Sequence, residues 1–201
     1  MKIFKIIYNL SILVIFTVGI TKLFRKEYYL GIVWTILVPI LMLLPRIIYK
    51  KYLVKEYNKN LLNLFEYLAL FLLFTSAGLT LFFKKMPIDF DSYSHFANLV
   101  VYAIIFGIIY YFIKLKLINK PIRKEEVAIF SLIFNLIFGV FLWELFQKYG
   151  DLTFNTNMFF DHYQPIEVDS FLDKLFGAIG TLFGSILIYF KFDDWLNKWK
   201  R

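Results

Sequence analysis

The sequence predicts an all-α integral membrane protein: a bundle of six transmembrane helices with both termini in the cytoplasm. Apolar residues make up 60% of the 201 residues, and the mean hydropathy is +0.63, which is more than a soluble domain of this size can bury. These residues are gathered into runs that approach the length needed to cross a bilayer. Lysine and arginine lie between the runs and are concentrated on one side, which is typical of membrane orientation signals.

Six apolar runs are expected to form the helices, at residues 6–21, 28–45, 61–83, 93–113, 127–147 and 171–190. The first run has no small-x-small cleavage motif after it, so it is expected to be a retained helix and not a signal peptide. Pro39 predicts a kink within the second run. We expect residues 1–201 to form a single membrane domain, with 191–201 as a short interfacial cytoplasmic tail, because Trp195 and Trp199 lie four residues apart.

The basic residues predict the orientation. Of the 23 lysines and arginines, 16 fall on the side of the two termini and 7 on the other, and the richer side is expected to be the cytoplasm. The net charge of +8 is therefore attributed to membrane orientation, with membrane lipid and not nucleic acid as the expected partner. The expected location is the cell membrane. Because the chain has no cysteine, it can form no disulfide and no thiolate metal site.

Acidic residues follow the opposite distribution. Both histidines, His95 and His162, fall on the predicted outer side. So do eight acidic residues: Asp89, Asp91, Glu144, Asp151, Asp161, Glu167, Asp169 and Asp173. Three predicted helix ends bring some of these groups to a similar depth, since the fourth run begins with DSYSHF, the fifth ends in WELF and the sixth begins with DSFLD.

A site is expected where these three ends meet. If the helices are neighbours, His95, Glu144, Asp169 and Asp173 would converge, and carboxylates with one imidazole can bind Mg²⁺, Mn²⁺ or Zn²⁺. A divalent metal ion is therefore the candidate cofactor, with all four residues as candidate ligands. Asp173, Glu144 and His95 are equally candidates for acid/base catalysis.

Structural roles compete with this interpretation. Asp91 and Asp169 suit helix starts, and Ser170-x-x-Asp173 resembles a capping box. Glu144 is harder to explain structurally, because an acid in the last turn of a helix opposes the helix dipole. Asp173 lies one turn deeper than Asp169, where ionisable side chains usually face the protein interior and mark function.

Other residues have simpler predicted roles. Asn135, in the middle of the fifth run, is expected to form hydrogen bonds between helices. Glu66 is expected to reach the interface or a basic partner. Gly177, Gly180 and Gly184 form a stripe that predicts close contact with a neighbouring helix, because small residues let backbones approach.

The motifs at the predicted site carry a family resemblance. DSYSHF, WELF and the pattern of Asp169, Ser170, Asp173 and Gly180 resemble the uncharacterised multi-pass membrane family typified by YjdF. That family is more distantly similar to VanZ-like membrane proteins, which are associated with the cell envelope. The resemblance covers residues 89–187.

Three functions remain open at this point. The chain could bind or act on a lipid or cell-envelope substrate through the acidic site. It could instead be a non-catalytic scaffold or partner protein, with the acids capping helices. A transporter is the third reading, and only Asn135 and Pro39 favour it, since inverted repeats and midplane polar residues are otherwise absent from the sequence.

Overall fold

The computed structural model describes residues 2–75, 90–118, 122–154 and 166–200. Within these residues the chain is helical, apart from short connections and an antiparallel bridge between Tyr57 and Lys200. The chain divides into two compact units: Met1–Phe71 with Lys198–Arg201, and Leu72–Asn197.

The first unit contains four α-helices and two π-helical segments. In chain order they are α1 (Lys2–Phe24), α2 (Tyr28–Ile32), a π segment (Val33–Leu37), α3 (Val38–Ile48), a second π segment (Tyr49–Leu53) and α4 (Lys59–Leu73), which ends at the start of the second unit. Pro39 is the second residue of α3, and α3 begins directly after the first π segment. Proline donates no backbone hydrogen bond and crowds the carbonyl four residues earlier, so a widened turn at this position accommodates it.

The turn between α1 and α2 brings the two helices close together. Lys26 adopts a left-handed conformation with φ of 64°, and Lys22 Nζ lies 2.6 Å from Glu27 Oε2 across the turn. A Cβ at Gly19 would overlap Thr35, and one at Gly31 would overlap the side chain of Leu23. Glycine therefore allows a separation that no larger residue would permit.

An ion pair lies inside the first unit. Arg46 Nε donates to Glu66 Oε1 at 2.5 Å, and Glu66 is only 1% exposed. The Arg46 guanidinium also donates to Asn9 Oδ1 at 2.7 Å and stands 4.8 Å from the ring centroid of Tyr8. The predicted basic partner of Glu66 is thus confirmed.

The second unit contains the predicted site. Its elements are α5 (Phe90–Leu117), α6 (Lys124–Asn135), a π segment (Leu136–Phe141), α7 (Leu142–Phe154) and most of α8 (Ile166–Trp199). The sequence wrongly predicted that the fifth helix ends in WELF, because the helix continues as α7 to Phe154. The predicted tail at 191–201 continues α8 as far as Trp199, with no break.

Glycines set the contact between α5 and α8. A Cβ at Gly180 would overlap the carbonyl oxygen of Phe96, and one at Gly184 would meet the backbone of Val100 and the side chain of Ala103. The predicted helix contact at Gly180 is therefore confirmed. Close backbone approach increases the area of van der Waals contact, which is a principal source of helix association in lipid.

Buried polar side chains tie three helical segments together. Asn135 Nδ2, at the end of α6, donates to the carbonyl oxygen of Leu99 at 2.9 Å and to Thr181 Oγ1 at 3.0 Å. Ser131 Oγ donates to the carbonyl oxygen of Ala103 at 2.6 Å. The interhelical role predicted for Asn135 is confirmed, because its side chain joins α6 to both α5 and α8.

Five stretches within the described residues are long and apolar enough to cross a membrane. They are Lys2–Phe24, Val33–Leu53, Ser92–Lys116, Lys124–Gly150 and Glu167–Trp199. The third predicted run, 61–83, begins in α4, but its second half lies outside the described residues.

Candidate metal centre

Three of the four predicted site residues come together in the second unit. His95 lies on α5, Glu144 on α7 and Asp173 on α8, and each is buried. Each offers one ligand atom, and these atoms all lie within 4.8 Å of one another. A divalent ion that sits about 2.0–2.6 Å from each ligand fits between atoms at this spacing.

The contact between His95 and Asp173 joins α5 to α8. His95 Nε2 lies 3.5 Å from Asp173 Oδ2, and Ser92 Oγ donates to Asp173 Oδ1 at 3.2 Å. Ser92 and His95 are three residues apart, so they share one face of α5 and both reach the same carboxylate. The Gly180 contact lies two turns further along α8 and holds the two backbones close enough for these side chains to meet.

Glu144 is held by residues of α8. Ser170 Oγ donates to Glu144 Oε2 at 2.9 Å, and Lys174 Nζ donates to Ser170 Oγ at 2.5 Å. Lys174 Nζ itself lies 3.9 Å from Glu144 Oε2, with its side chain partly exposed. Among the described residues, Lys174 is therefore the nearest cationic side chain to Glu144, and its ammonium group also donates to the Ser170 hydroxyl group.

Two predicted roles change in the structure. Glu144 does not lie in a last helical turn, because the helix continues well beyond it, so the dipole argument for this residue does not apply. Ser170 does not cap a helix, because α8 begins at Ile166 and Ser170 lies inside it. Its hydroxyl group donates to Glu144 instead of accepting from a backbone N–H at a helix start.

Asp169 is not part of the three-residue group, although it is buried on the same helix, one turn before Asp173. It interacts electrostatically with Glu144, as His95 and Lys174 also do. Asp91 and Asp151 lie on described helices, but their side chains are outside the described residues, as are Asp89, Asp161 and His162 altogether.

Sequence reasoning missed the hydroxyl and ammonium groups around the cluster. Ser92, Ser170 and Lys174 stand next to predicted ligands in the sequence, within DSYSHF and DSFLDK. Their helical spacing could have indicated them: Ser92 is three residues before His95, and Ser170 and Lys174 are four residues apart, so each pair shares one face of its helix.

A cavity of about 340 Å³ adjoins the cluster at His95. Its polar lining side chains are Ser94, His95, Asn98 and Gln147, and its aromatic ones are Tyr102, Phe106, Phe138 and Trp143. The cavity therefore combines polar groups with a larger aromatic surface.

The fold and the cluster define a membrane protein built from several apolar helices, with a buried His/Glu/Asp group in one of its units. Residues 6–194 match the family described as predicted membrane protein (DUF2238), so the chain belongs to that family. No curated protein and no solved structure matches the chain.

Proposed function

We propose that this chain is a cell-membrane protein that binds a divalent metal ion through His95, Glu144 and Asp173 and engages a lipid or cell-envelope substrate there. One observation carries the proposal: three ligand-type side chains from three helical segments converge, buried, with their ligand atoms within 4.8 Å. Ionisable side chains at membrane depth are costly, and they are usually found where they are paired or functional.

The donor set favours Zn²⁺ or Mn²⁺ over Mg²⁺. Imidazole is a good ligand for Zn²⁺, whereas Mg²⁺ prefers oxygen ligands throughout. Three protein ligands leave a coordination position for water or substrate, which is typical of catalytic zinc sites. In an enzyme of this kind, the ion would polarise a bound oxygen, and a carboxylate beside the three ligands, such as the buried Asp169, would accept the proton.

The proposed topology has six spans, both termini in the cytoplasm and the cluster at the outer face. It rests on the charge bias of 16 to 7 and on the third apolar run, 61–83. Within the family, the DSYSHF and WELF motifs support the proposal that the chain resembles members typified by YjdF and, more distantly, VanZ-like proteins. A reporter fused after Arg201 should be active only in the cytoplasm; activity only outside the cell would reverse the topology.

A structural role for the cluster is the alternative. Ser170 and Lys174 already give Glu144 polar partners, as expected of a closed network in a scaffold protein. The two functions differ in one measurable property, because a scaffold network needs no added cation.

Thermal melts of the purified protein separate the two proposals. A ligand that binds only the folded state raises stability by about 2.7 kcal/mol at a hundred times its Kd. After treatment with EDTA, Zn²⁺ or Mn²⁺ should raise the melting temperature in a saturable way, and Asp173→Asn should abolish the response.

Glu167→Gln is the matched control, because Glu167 is an exposed acid on the same helix. Its metal response should equal that of the unaltered protein. If no divalent ion shifts the melting temperature of the unaltered protein, or if Asp173→Asn responds normally, the metal proposal fails and the scaffold function replaces it.

A further inference from the structure

The cavity beside His95 has a polar end and an apolar remainder. Ser94, His95 and Asn98 lie in the first turns of α5, whereas Phe106 lies further along the same helix. From His95 to Phe106 the helix rises about 16 Å, at roughly 1.5 Å per residue. The π segment and α7 contribute the aromatic Phe138 and Trp143 and the polar Gln147. The cavity is therefore a slot whose lining follows α5 away from the metal-ligand cluster.

Its size and surroundings indicate what can occupy it. A volume of about 340 Å³ falls at the lower end of the range of roughly 300–1,000 Å³ for small-molecule sites. Phe138 and Trp143 are 49% and 43% exposed and belong to a membrane-capable stretch, so the slot opens where lipid would contact the protein. A polar solute would lose its hydration when it entered a cavity lined by aromatic side chains, and this desolvation costs free energy. An acyl chain moves into the cavity from the apolar interior of the membrane, so it has no such cost.

We propose that this cavity binds one acyl chain of a phospholipid, with its head group beside His95. The inference rests on the proposed function, because it places the lipid head group at the site where the metal ion would bind. Phosphate oxygens are suitable ligands for Mn²⁺, one of the two favoured ions, and the ion would neutralise their charge beside Glu144 and Asp173. The Trp143 indole can contribute both an apolar wall and a hydrogen-bond donor near the head group.

Photo-crosslinking tests the proposal on the intact chain. The protein is reconstituted into phosphatidylcholine vesicles that contain a few per cent phosphatidylglycerol with a diazirine in one acyl chain, and labelled residues are mapped by mass spectrometry. Label on Tyr102, Phe106 and Phe138 should saturate and be competed by unlabelled phosphatidylglycerol. Label on exposed residues such as Ile133 should rise in proportion to the probe.

Two neighbouring phenylalanines provide a matched pair of variants. Phe138 lines the cavity and Phe141 does not, yet both lie in the same π segment and are similarly exposed. Phe138→Trp should narrow the slot and reduce the saturable label several-fold, whereas Phe141→Trp should leave it unchanged. Saturable labelling of the unaltered protein supports the proposal without reference to either variant.

Labelling of the cavity residues that is proportional to probe and insensitive to competitor overturns the proposal, as does an equal loss in both variants. The thermal melts with added Zn²⁺ or Mn²⁺ test the cation site separately. A normal metal response with non-saturable labelling removes the lipid inference alone. Saturable labelling with no metal response removes the cation site and leaves a lipid-binding slot.

Discussion

The two units bury carboxylates in different electrostatic settings. In the first unit, Glu66 has the guanidinium of Arg46 at 2.5 Å, which makes a neutral pair. In the second, Glu144 and Asp173 lie within one cluster, where the recorded cationic contacts are Lys174 at 3.9 Å and the titratable His95 at 3.5 Å. Glu66, Glu144 and Asp173 are all at most 5% exposed, so burial alone does not distinguish the two settings.

The difference separates a structural acid from a candidate ligand. A buried carboxylate beside a guanidinium gains little from an added cation, because its charge is already balanced. In the second unit Glu144 lies near a partly exposed lysine and Asp173 near a histidine, at longer distances than the guanidinium pair, so an added divalent ion would contribute counter-charge there. The nature of the counter-charge therefore indicates the role of a membrane-buried acid better than its depth does.

The largest effect should follow from breaking the neutral pair. Arg46→Met leaves Glu66 buried without its guanidinium, and loss of one partner of a buried pair typically costs about 3–5 kcal/mol. We expect a correspondingly large drop in the free energy of unfolding, measured by denaturant titration in detergent.

The control for this experiment is Lys50→Met, which removes an exposed charge of the same sign from the next turn. Replacing both partners, as Arg46→Met with Glu66→Leu, should recover most of the lost stability. If Arg46→Met is no less stable than Lys50→Met, the pair is not structural and the comparison between the units loses its basis.

A smaller effect is expected at the helix contact that positions the cluster. Gly180→Leu forces a side chain against the Phe96 carbonyl group, and overpacking of this kind costs about 1–3 kcal/mol. The melting temperature should fall, and the metal response should weaken because α5 and α8 separate. Ile179→Leu changes an exposed neighbour on the same helix and should have little effect. A neutral Gly180→Leu would show that the site does not depend on this contact.

The sequence predicted the class of fold and four converging residues, three of which form the cluster, for physical reasons that can be named. Apolar runs and flanking charges are local properties, so five of the six predicted runs correspond to membrane-capable helices within the described residues. Helical spacing placed Asp173 and Gly180 on faces that meet a neighbour.

What the sequence did not predict depends on features without a local signal. The π segment Leu136–Phe141 precedes Glu144 and changes the helical register of the residues that follow. No pattern of residues in the sequence predicts this segment. The helix α7 extends to Phe154, although the apolar content of the sequence falls after WELF. The sequence therefore predicted the helix end too early, and the argument that Glu144 opposes the helix dipole was wrong. The hydrogen bond from Ser170 to Glu144 joins residues 26 apart in sequence, so only the fold reveals it.

The smallest expected effect gives the sharpest distinction between the two functions of the cluster. Lys174 contributes a positive charge at Glu144, where a metal ion would bind, so the two cations compete. For a partly exposed pair of this kind the interaction is worth about 0.2–1 kcal/mol, so Lys174→Met should tighten Zn²⁺ or Mn²⁺ binding by up to roughly fivefold. Calorimetric titration of the EDTA-treated protein measures this change, and Lys148→Met, an exposed lysine on α7, is the control. In a closed scaffold network, the same substitution would lower stability without revealing any metal affinity. A gain in affinity at Lys174 that is absent at Lys148 would therefore show that the lysine occupies the place of a cation that the cluster is built to hold.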